Sequence, residues 1–364
     1  MQQISLSEAL QPSLSASQEC TVPLSPDICF GAVAMGGYMP ALAAKYAVYY
    51  ASQHPRLKSQ ASLRTMNAQF YRPLLPARGP ARMVLREISV GKAWSTLRVE
   101  VFQPAKCQEM AVSADMLLSD QSISSLTRPT NWTLHPPPRS VDLAKLETYS
   151  DPGWICYHTA FKPTGFKRAH SYVKHFIPVD WRPATPFIEQ WITPGWNCTP
   201  SGSATEDRHD GKAGKDTCPR WTTDMIPLIM DASLPPECNF LSQKDDQQEH
   251  IASMASFLRY ATAQKSARER GDPNWRDLPN DGSGRFDGSM LNVTLAISTD
   301  IRQELPEEGV RWLYLRDEVK SIRNGGINVE TLLFNQGMEL VAVSHQIGQF
   351  VSSEKKRIKE ESRL

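Results

Sequence analysis

The sequence predicts an α+β protein built from two copies of one unit, a helix followed by an antiparallel meander. Three observations predict it: an internal repeat, an apolar helical run leading into strand-like runs in each half, and turn signals between those runs.

The repeat comes first, because a missed repeat misassigns a whole fold. Within the 364 residues, Arg82–Met116 slides by 230 positions, without gaps, onto Trp312–Gln346. Leu85 falls on Leu315, Arg86 on Arg316 and Glu87 on Asp317; Val99 falls on Val329, Glu109 on Glu339, Met110 on Leu340 and Ala111 on Val341. An ungapped register that matches both apolar and charged positions points to duplication.

In the first copy, Gly36-Gly37-Tyr38 opens MPALAAKYAVYYASQ, apolar at helical spacing and rich in a strong helix former, and His54-Pro55 ends it. Strands are expected at Ser62–Tyr71, Ala81–Val90, Ser95–Gln103 and Glu109–Leu118. In the second copy Ala169–Ile177 and Phe187–Ile192 read as opening strands and Trp221–Ala232 as the counterpart helix. Met290–Ile297, Val310–Val319, Asn328–Phe334 and Glu339–Val351 read as the later strands. Arg78-Gly79-Pro80, Asn324-Gly325-Gly326 and Asn335-Gln336-Gly337 are the turns. The expected division is residues 1–118, a Pro- and Ser-rich linker over 119–164 that holds Pro136-Pro137-Pro138, a second unit over 165–353 with an insertion at about 243–285, and a charged tail over 354–364. Ser201–Lys215 reads as a polar loop.

Composition narrows the function. Forty basic against thirty-nine acidic residues leave a net charge of +1, so no basic field marks a nucleic-acid binder. No apolar run approaches the roughly 20 residues of a membrane span, and the N-terminus lacks the pattern of a secretory signal. Seven scattered cysteines form no CxxC pair, which argues against a zinc site or a disulfide framework. No cofactor is expected. His170 and His175 fall an odd number apart on one expected strand and should point away from each other, as should His345 from Gln346. Trp181, Trp191, Trp196 and Trp221 read as core and pocket wall.

The Gly-Gly-Tyr before a helix, the strand Asn67–Pro73 (NAQFYRP), the segment Met225–Pro236 (MIPLIMDASLPP) and the closing Glu339–Val351 (ELVAVSHQIGQFV) together resemble the acyl-CoA thioesterase II type of the thioesterase-like superfamily. The resemblance spans nearly the whole chain outside the linker and insertion. It implies a double hotdog fold, two tandem units in which a long helix is wrapped by an antiparallel sheet. It implies hydrolysis of an acyl-CoA or carrier-protein-bound acyl thioester by activated water, and it is compatible with a homo-oligomer. In that family an Asp of the second helix, a Ser or Thr of the following strand and a Gln of the last strand hold the water. The Asp maps to Asp231 and the Gln to Gln346. The hydroxyl strand typically begins Thr-Leu-Asp or Ser-Leu-Asp, whereas this chain reads Met290-Leu291-Asn292, with Ser289 one residue earlier and hence on the opposite strand face.

The residue types suit the chemistry. A partly buried carboxylate makes a general base near neutral pH, and a carboxamide both accepts and donates. Backbone N–H groups at a helix start can hold an oxyanion, which Gly36 and Gly37 would let approach closely, beside Tyr38. Ser289, Met290 and Asn292 are expected at the same pocket, Met290 narrowing it or replacing the water. Those substitutions keep two other readings open: dehydration, isomerisation or cyclisation of a polyketide-like acyl chain, and non-catalytic acyl binding. Secondary metabolism would suit the former.

The sequence closes on Ser362-Arg363-Leu364, a small–basic–Leu tripeptide resembling the peroxisomal signal, after the charged run Glu354–Glu361. Import by the peroxisomal receptor is therefore expected, with cytoplasm as the alternative. A fluorescent protein fused to the N-terminus should give punctate signal that becomes diffuse when Ser362–Leu364 are deleted; diffuse signal from both forms would exclude the targeting.

Overall fold

The computed structural model describes residues 3–11, 16–103, 109–120, 126, 128, 130–183, 185–196, 218–241, 250–288 and 290–352. Ser289, the loop Ser201–Lys215 and the C-terminal tripeptide lie outside the described residues.

Strands form where the sequence alternates or runs apolar. In chain order they are β1 (Glu19–Val22), β2 (Cys29–Phe30), β3 (Val33–Ala34), β4 (Ser62–Phe70), β5 (Ala81–Val90), β6 (Trp94–Phe102), β7 (Met110–Ser119), β8 (Trp154–His158), β9 (Val173–Pro178), β10 (Phe187–Pro194), β11 (Met290–Ile301), β12 (Leu313–Arg323), β13 (Gly326–Phe334) and β14 (Leu340–Ser352). Helices are α1 (Leu6–Ala9), α2 (Tyr38–Gln53), α3 (Leu143–Glu147), α4 (Ile226–Ile229) and α5 (Met254–Glu269). All strands but the β2–β3 hairpin join one twelve-stranded sheet, ordered β1-β5-β6-β7-β4-β11-β14-β13-β12-β10-β9-β8.

That order is the duplication made visible. From the centre outward, β4-β7-β6-β5 is mirrored by β11-β14-β13-β12, so β5 and β12, the strands superimposed by the 230-residue slide, hold equivalent places. The halves meet edge to edge through antiparallel β4 and β11, with Ala68 opposite Ile297 and Met66 opposite Thr299. Each half thereby covers an edge the other would leave exposed. The chain is a double hotdog of the α+β class.

Eleven of the sixteen residues of α2 are buried, so the helix is central rather than amphipathic. Its alanines let the sheet and α4 approach. One apolar cluster joins α2 residues Tyr38, Leu42 and Tyr46 to Val99 and Ala114 of the first half and to Ile229, Leu315 and Val341 of the second. The core is thus shared between the halves.

The second half departs from expectation in three places. Trp221–Ala232 is not a long helix: a 3-10 turn at Thr223–Met225 leads into the four-residue α4. Asp231 follows in a turn, and Pro235-Pro236 prevent helical continuation. The long helix of this half is α5, inside the stretch read as an insertion, and β8 lies inside the stretch read as a linker. Gln264 of α5 accepts the His158 N–H at 3.1 Å and donates to its carbonyl at 2.8 Å, covering the edge strand β8. Third, Arg168–Tyr172 is a 3-10 turn and the strand starts only at Val173. This change of backbone brings the His170 and His175 rings to 5.9 Å, where a continuous strand would have pointed them apart.

Because β4 and β11 are both interior strands, Ala68→Pro removes a donor from the middle of the sheet. Melting followed by far-UV circular dichroism and by tryptophan fluorescence should show a lowered but single transition. Two separate transitions would mean that the halves fold independently.

Candidate active site

The short α4 and the turn after it lie across the N-terminus of α2, and glycine makes this possible. A Cβ on Gly37 would stand 2.8 Å from the Pro227 carbonyl oxygen and 2.9 Å from the Leu228 Cα; one on Gly36 would stand 2.9 Å from Asp231 Oδ2. Any side chain there would push α4 away. In the space left, the Gly37 N–H donates to Asp231 Oδ2 at 2.7 Å. Sixteen helical residues stand behind that N–H, so the carboxylate meets the positive end of α2.

Asp231 as a residue keeps partial access to solvent, but its carboxyl group is enclosed. Burial raises its pKa from the ordinary carboxylate range to about 7; the Gly37 hydrogen bond opposes the rise, and the charge of Glu237 adds to it. Glu237 is buried on the next 3-10 turn, Pro236–Phe240, and accepts the Asn292 side-chain amide at 2.6 Å. Its own pKa is raised by burial. Gln346 on β14 donates through Nε2 to the Met230 carbonyl oxygen at 2.7 Å. Gly36, Gly37, Asp231 and Gln346 therefore gather at one place. The Gly37 N–H is engaged by Asp231 and is not the oxyanion donor expected of it. Tyr38 turns into the core, where its hydroxyl donates to the Ala9 carbonyl at 3.1 Å; it does not face the site.

Met290 lies elsewhere. It pairs with Ser352, six residues along β14 from Gln346, which is about 20 Å of strand, and it packs with Ile327, Val329 and Phe350. Asn292, opposite Phe350, is the partner of Glu237. A hydroxyl on the same sheet face as Gln346 is that of Thr294. It pairs with Gly348, two residues or about 7 Å along β14 from Gln346, and directly opposed residues share a face. A bulge at Leu295 lets Thr294 share a face with Ile297, which opposes Gln346. The signal was in the sequence: Thr294-Leu295 matches the start of Thr-Leu-Asp, four residues beyond Met290. Nothing in the sequence singled out Glu237. His345 is exposed on the outer face, 3.8 Å from Glu330, away from Gln346 as alternation requires. Trp181, Trp191, Trp196 and Trp221 are buried. Among the described residues, no group of three or more His, Cys, Asp or Glu side chains could hold a metal, and no helix is long and apolar enough to cross a membrane.

A carboxyl of one hotdog held on the opening helix of the other defines a double-hotdog protein with its candidate site between the halves. Family models agree: residues 24–117 match the acyl-CoA thioesterase N-terminal domain and residues 204–350 the acyl-CoA thioesterase C-terminal domain. The chain belongs to the acyl-CoA thioesterase family. It is 26% identical over 362 residues to the thioesterase-like protein TwmA of Talaromyces wortmannii, covering 96% of this chain and 92% of that one. Among solved structures, one assigned as a thioesterase II from Thermobifida fusca superimposes with a TM-score of 0.61 at 13% identity, over 95% of this chain and 97% of the other. A hot dog fold protein from Alicyclobacillus acidocaldarius gives 0.57 at 11% identity, over 94% and 97%. At these identities the structural matches show the fold alone.

The raised pKa of Asp231 has a stability consequence. Between the unfolded value near 4 and the folded value of about 7, the folded state holds the extra proton, so stability falls as pH rises through this window. Asp231→Asn keeps an acceptor for Gly37 and carries no charge. Its Tm should exceed that of the parent at pH 8 and converge with it toward pH 4; an equal difference at both pH values would show that the carboxyl is not perturbed.

Proposed function

We propose that the chain hydrolyses an acyl thioester of CoA or of a carrier protein by water attack, with Asp231 as general base. The observation that carries this reading is the placement of Asp231: Oδ2 is held by the Gly37 N–H, while Oδ1 has no hydrogen bond among the described residues. One oxygen is fixed and the other can take a proton. With a pKa of about 7 the group is substantially ionised at neutral pH yet basic enough to accept that proton.

Gln346 fixes the Met230 carbonyl through Nε2, which leaves Oε1 to accept from the water, and the Thr294 hydroxyl supplies a further polar contact from the neighbouring strand. The water oxygen bonds to the thioester carbon as its proton moves to Asp231. The tetrahedral oxyanion collapses, the carbon–sulfur bond breaks, and the thiolate takes up a proton. The products are a carboxylic acid and a free thiol. The positive end of α2 favours the negative charge that develops. The family membership supports the substrate class. Met290 and Asn292, which pointed toward a rearranging enzyme, stand outside this constellation and no longer argue for one.

The test is thiol release from a panel of acyl-CoAs and acyl carrier proteins, read with a thiol reagent. Asp231→Asn should lower kcat by about 10²- to 10⁴-fold, the usual contribution of a general base. In the parent protein kcat/KM should rise with pH through about 7 and level off above it, since the base must be ionised. Turnover that survives Asp231→Asn removes this residue from the mechanism, and acyl binding without thiol release favours a binding protein.

A further inference from the structure

The segment that carries Asp231 crosses the inner face of the second-half sheet and is fastened on both sides. At one end Asp231 meets the Gly37 N–H, and the neighbouring Met230 carbonyl accepts from Gln346 on β14. At the other, just past Pro235-Pro236, Glu237 accepts the side-chain amide of Asn292, on β11, at 2.6 Å. Glu237 is 2% exposed, whereas Asn292 is open to solvent. The bond satisfies the buried acid, but it uses only half of the amide.

The contact fixes how that amide points. A carboxyl oxygen accepts, so Nδ2 faces Glu237 and Oδ1 faces away from it. Oδ1 lies over Gly348: a Cβ there would stand 2.5 Å from it, so any other residue at 348 would displace it. Gly348 shares the inner face with Gln346, two residues or about 7 Å along β14. Oδ1 has no hydrogen-bond partner among the described residues. Solvent reaches Gln346 from this side. Asn292 is exposed, and Thr294 and Gln346 are half-buried. β14 flanks β11 from Met290 onward, whereas β4 flanks it only over Ala296–Asp300, so β4 leaves the start of β11 uncovered.

We propose that Asn292 binds the pantetheine arm of the substrate, its Oδ1 accepting the N–H of the amide nearest the sulfur, and that Glu237 is the positioning residue that holds Asn292 for this contact. The lengths agree. From the thioester carbon through sulfur to that nitrogen is four bonds, about 5 Å when extended, and a hydrogen bond adds roughly 3 Å. Gln346 and Asp231 stand at the thioester carbonyl, and Oδ1 lies over the residue one strand repeat away. A simple acyl chain offers no N–H at that distance, so the contact reads the arm and not the acyl group. CoA and carrier proteins present the same arm. This inference rests on the thioester reading of the same cleft.

The experiment uses the full chain and two thioesters of one acyl group. The N-acetylcysteamine ester carries the amide; in the S-pentyl ester methylenes replace it. The reading is the ratio of kcat/KM for the first ester to that for the second. Loss of one hydrogen bond should lower this ratio about 3- to 10-fold in Asn292→Ala, through a raised KM. Glu237→Ala should lower it too, and Glu237→Gln, whose carboxamide oxygen still accepts from Nδ2, should keep it near the parent value. A merely structural Glu237 would slow both esters alike and leave the ratio where it was. On acyl-CoA and on acyl carrier protein Asn292→Ala should lose the same factor, and the substrate the parent prefers names the carrier. An unchanged ratio in Asn292→Ala overturns the proposal, as does a loss confined to one carrier; an unchanged ratio in Glu237→Ala removes the positioning role. If the parent releases thiol from no substrate, hydrolysis falls, and calorimetry decides the arm contact by itself. The S-pentyl thioether of CoA, which cannot be hydrolysed, should bind the parent about 3- to 10-fold more tightly than Asn292→Ala; equal or absent binding overturns the contact.

Discussion

The close approach of α4 to the Gly36-Gly37 pair governs the candidate site. It requires two residues without side chains on one element and a short, proline-bounded helix on the other, from positions nearly two hundred residues apart in the chain. The continuous sheet supplies the frame. Edge pairing of β4 with β11 sets the halves in mirrored order, and the shared apolar cluster fixes the depth at which α2 sits. Only within that frame does one hydrogen bond bring an acid of the second half to the start of a helix of the first.

The energetics of the site oppose one another. Enclosing the carboxyl of Asp231 disfavours its charge, and Glu237 disfavours it further; the Gly37 N–H and the end of α2 favour it. The balance leaves the group near neutrality instead of fully ionised. Asp317 shows the same contest, its pKa carried by burial to about 7 against hydrogen bonds from Thr331 and Gln190. Two such acids within one half mean that the fold accepts a stability cost above the acid range, which a purely structural design would avoid with apolar residues. Structures tolerate that cost where positioned polar groups serve chemistry.

Much of the architecture was legible in the sequence because strand periodicity and duplication are local, repeated signals. Four of the seven strands of the first half fall within a residue of their expected bounds, β1, β2 and β3 being unforeseen, and Asp231, Gln346 and the glycine pair were all singled out. What the sequence obscured depends on long-range geometry. The run Trp221–Ala232 is apolar enough for a helix, but the packing of α4 against α2 and the prolines after it allow only one turn. The strand reading of Ala169–Ile177 missed the 3-10 turn that brings two histidines together. Met290, matched by the family pattern to the hydroxyl position, pairs with Ser352 and packs on Ile327, Val329 and Phe350 instead of beside Gln346, a distance that only the strand register reveals. Asp317 stood in plain view as the partner of Glu87 in the repeat, yet its burial against Thr331 and Gln190 follows from strand register that no spacing rule encodes.

The mirrored strand order has one more consequence. A site made between two separate, identical subunits must be made twice, dissolves on dilution, and changes in both places whenever its gene changes. Here the two units are tethered, so the partner of each half is present at a fixed local concentration however dilute the protein becomes. Covalent fusion also frees matched positions to diverge. Glu87 accepts a hydroxyl from the far end of a helix, while Asp317 accepts from Thr331 and Gln190 within the sheet. One ancestral position has become two devices, an asymmetry that an assembly of identical subunits could not encode.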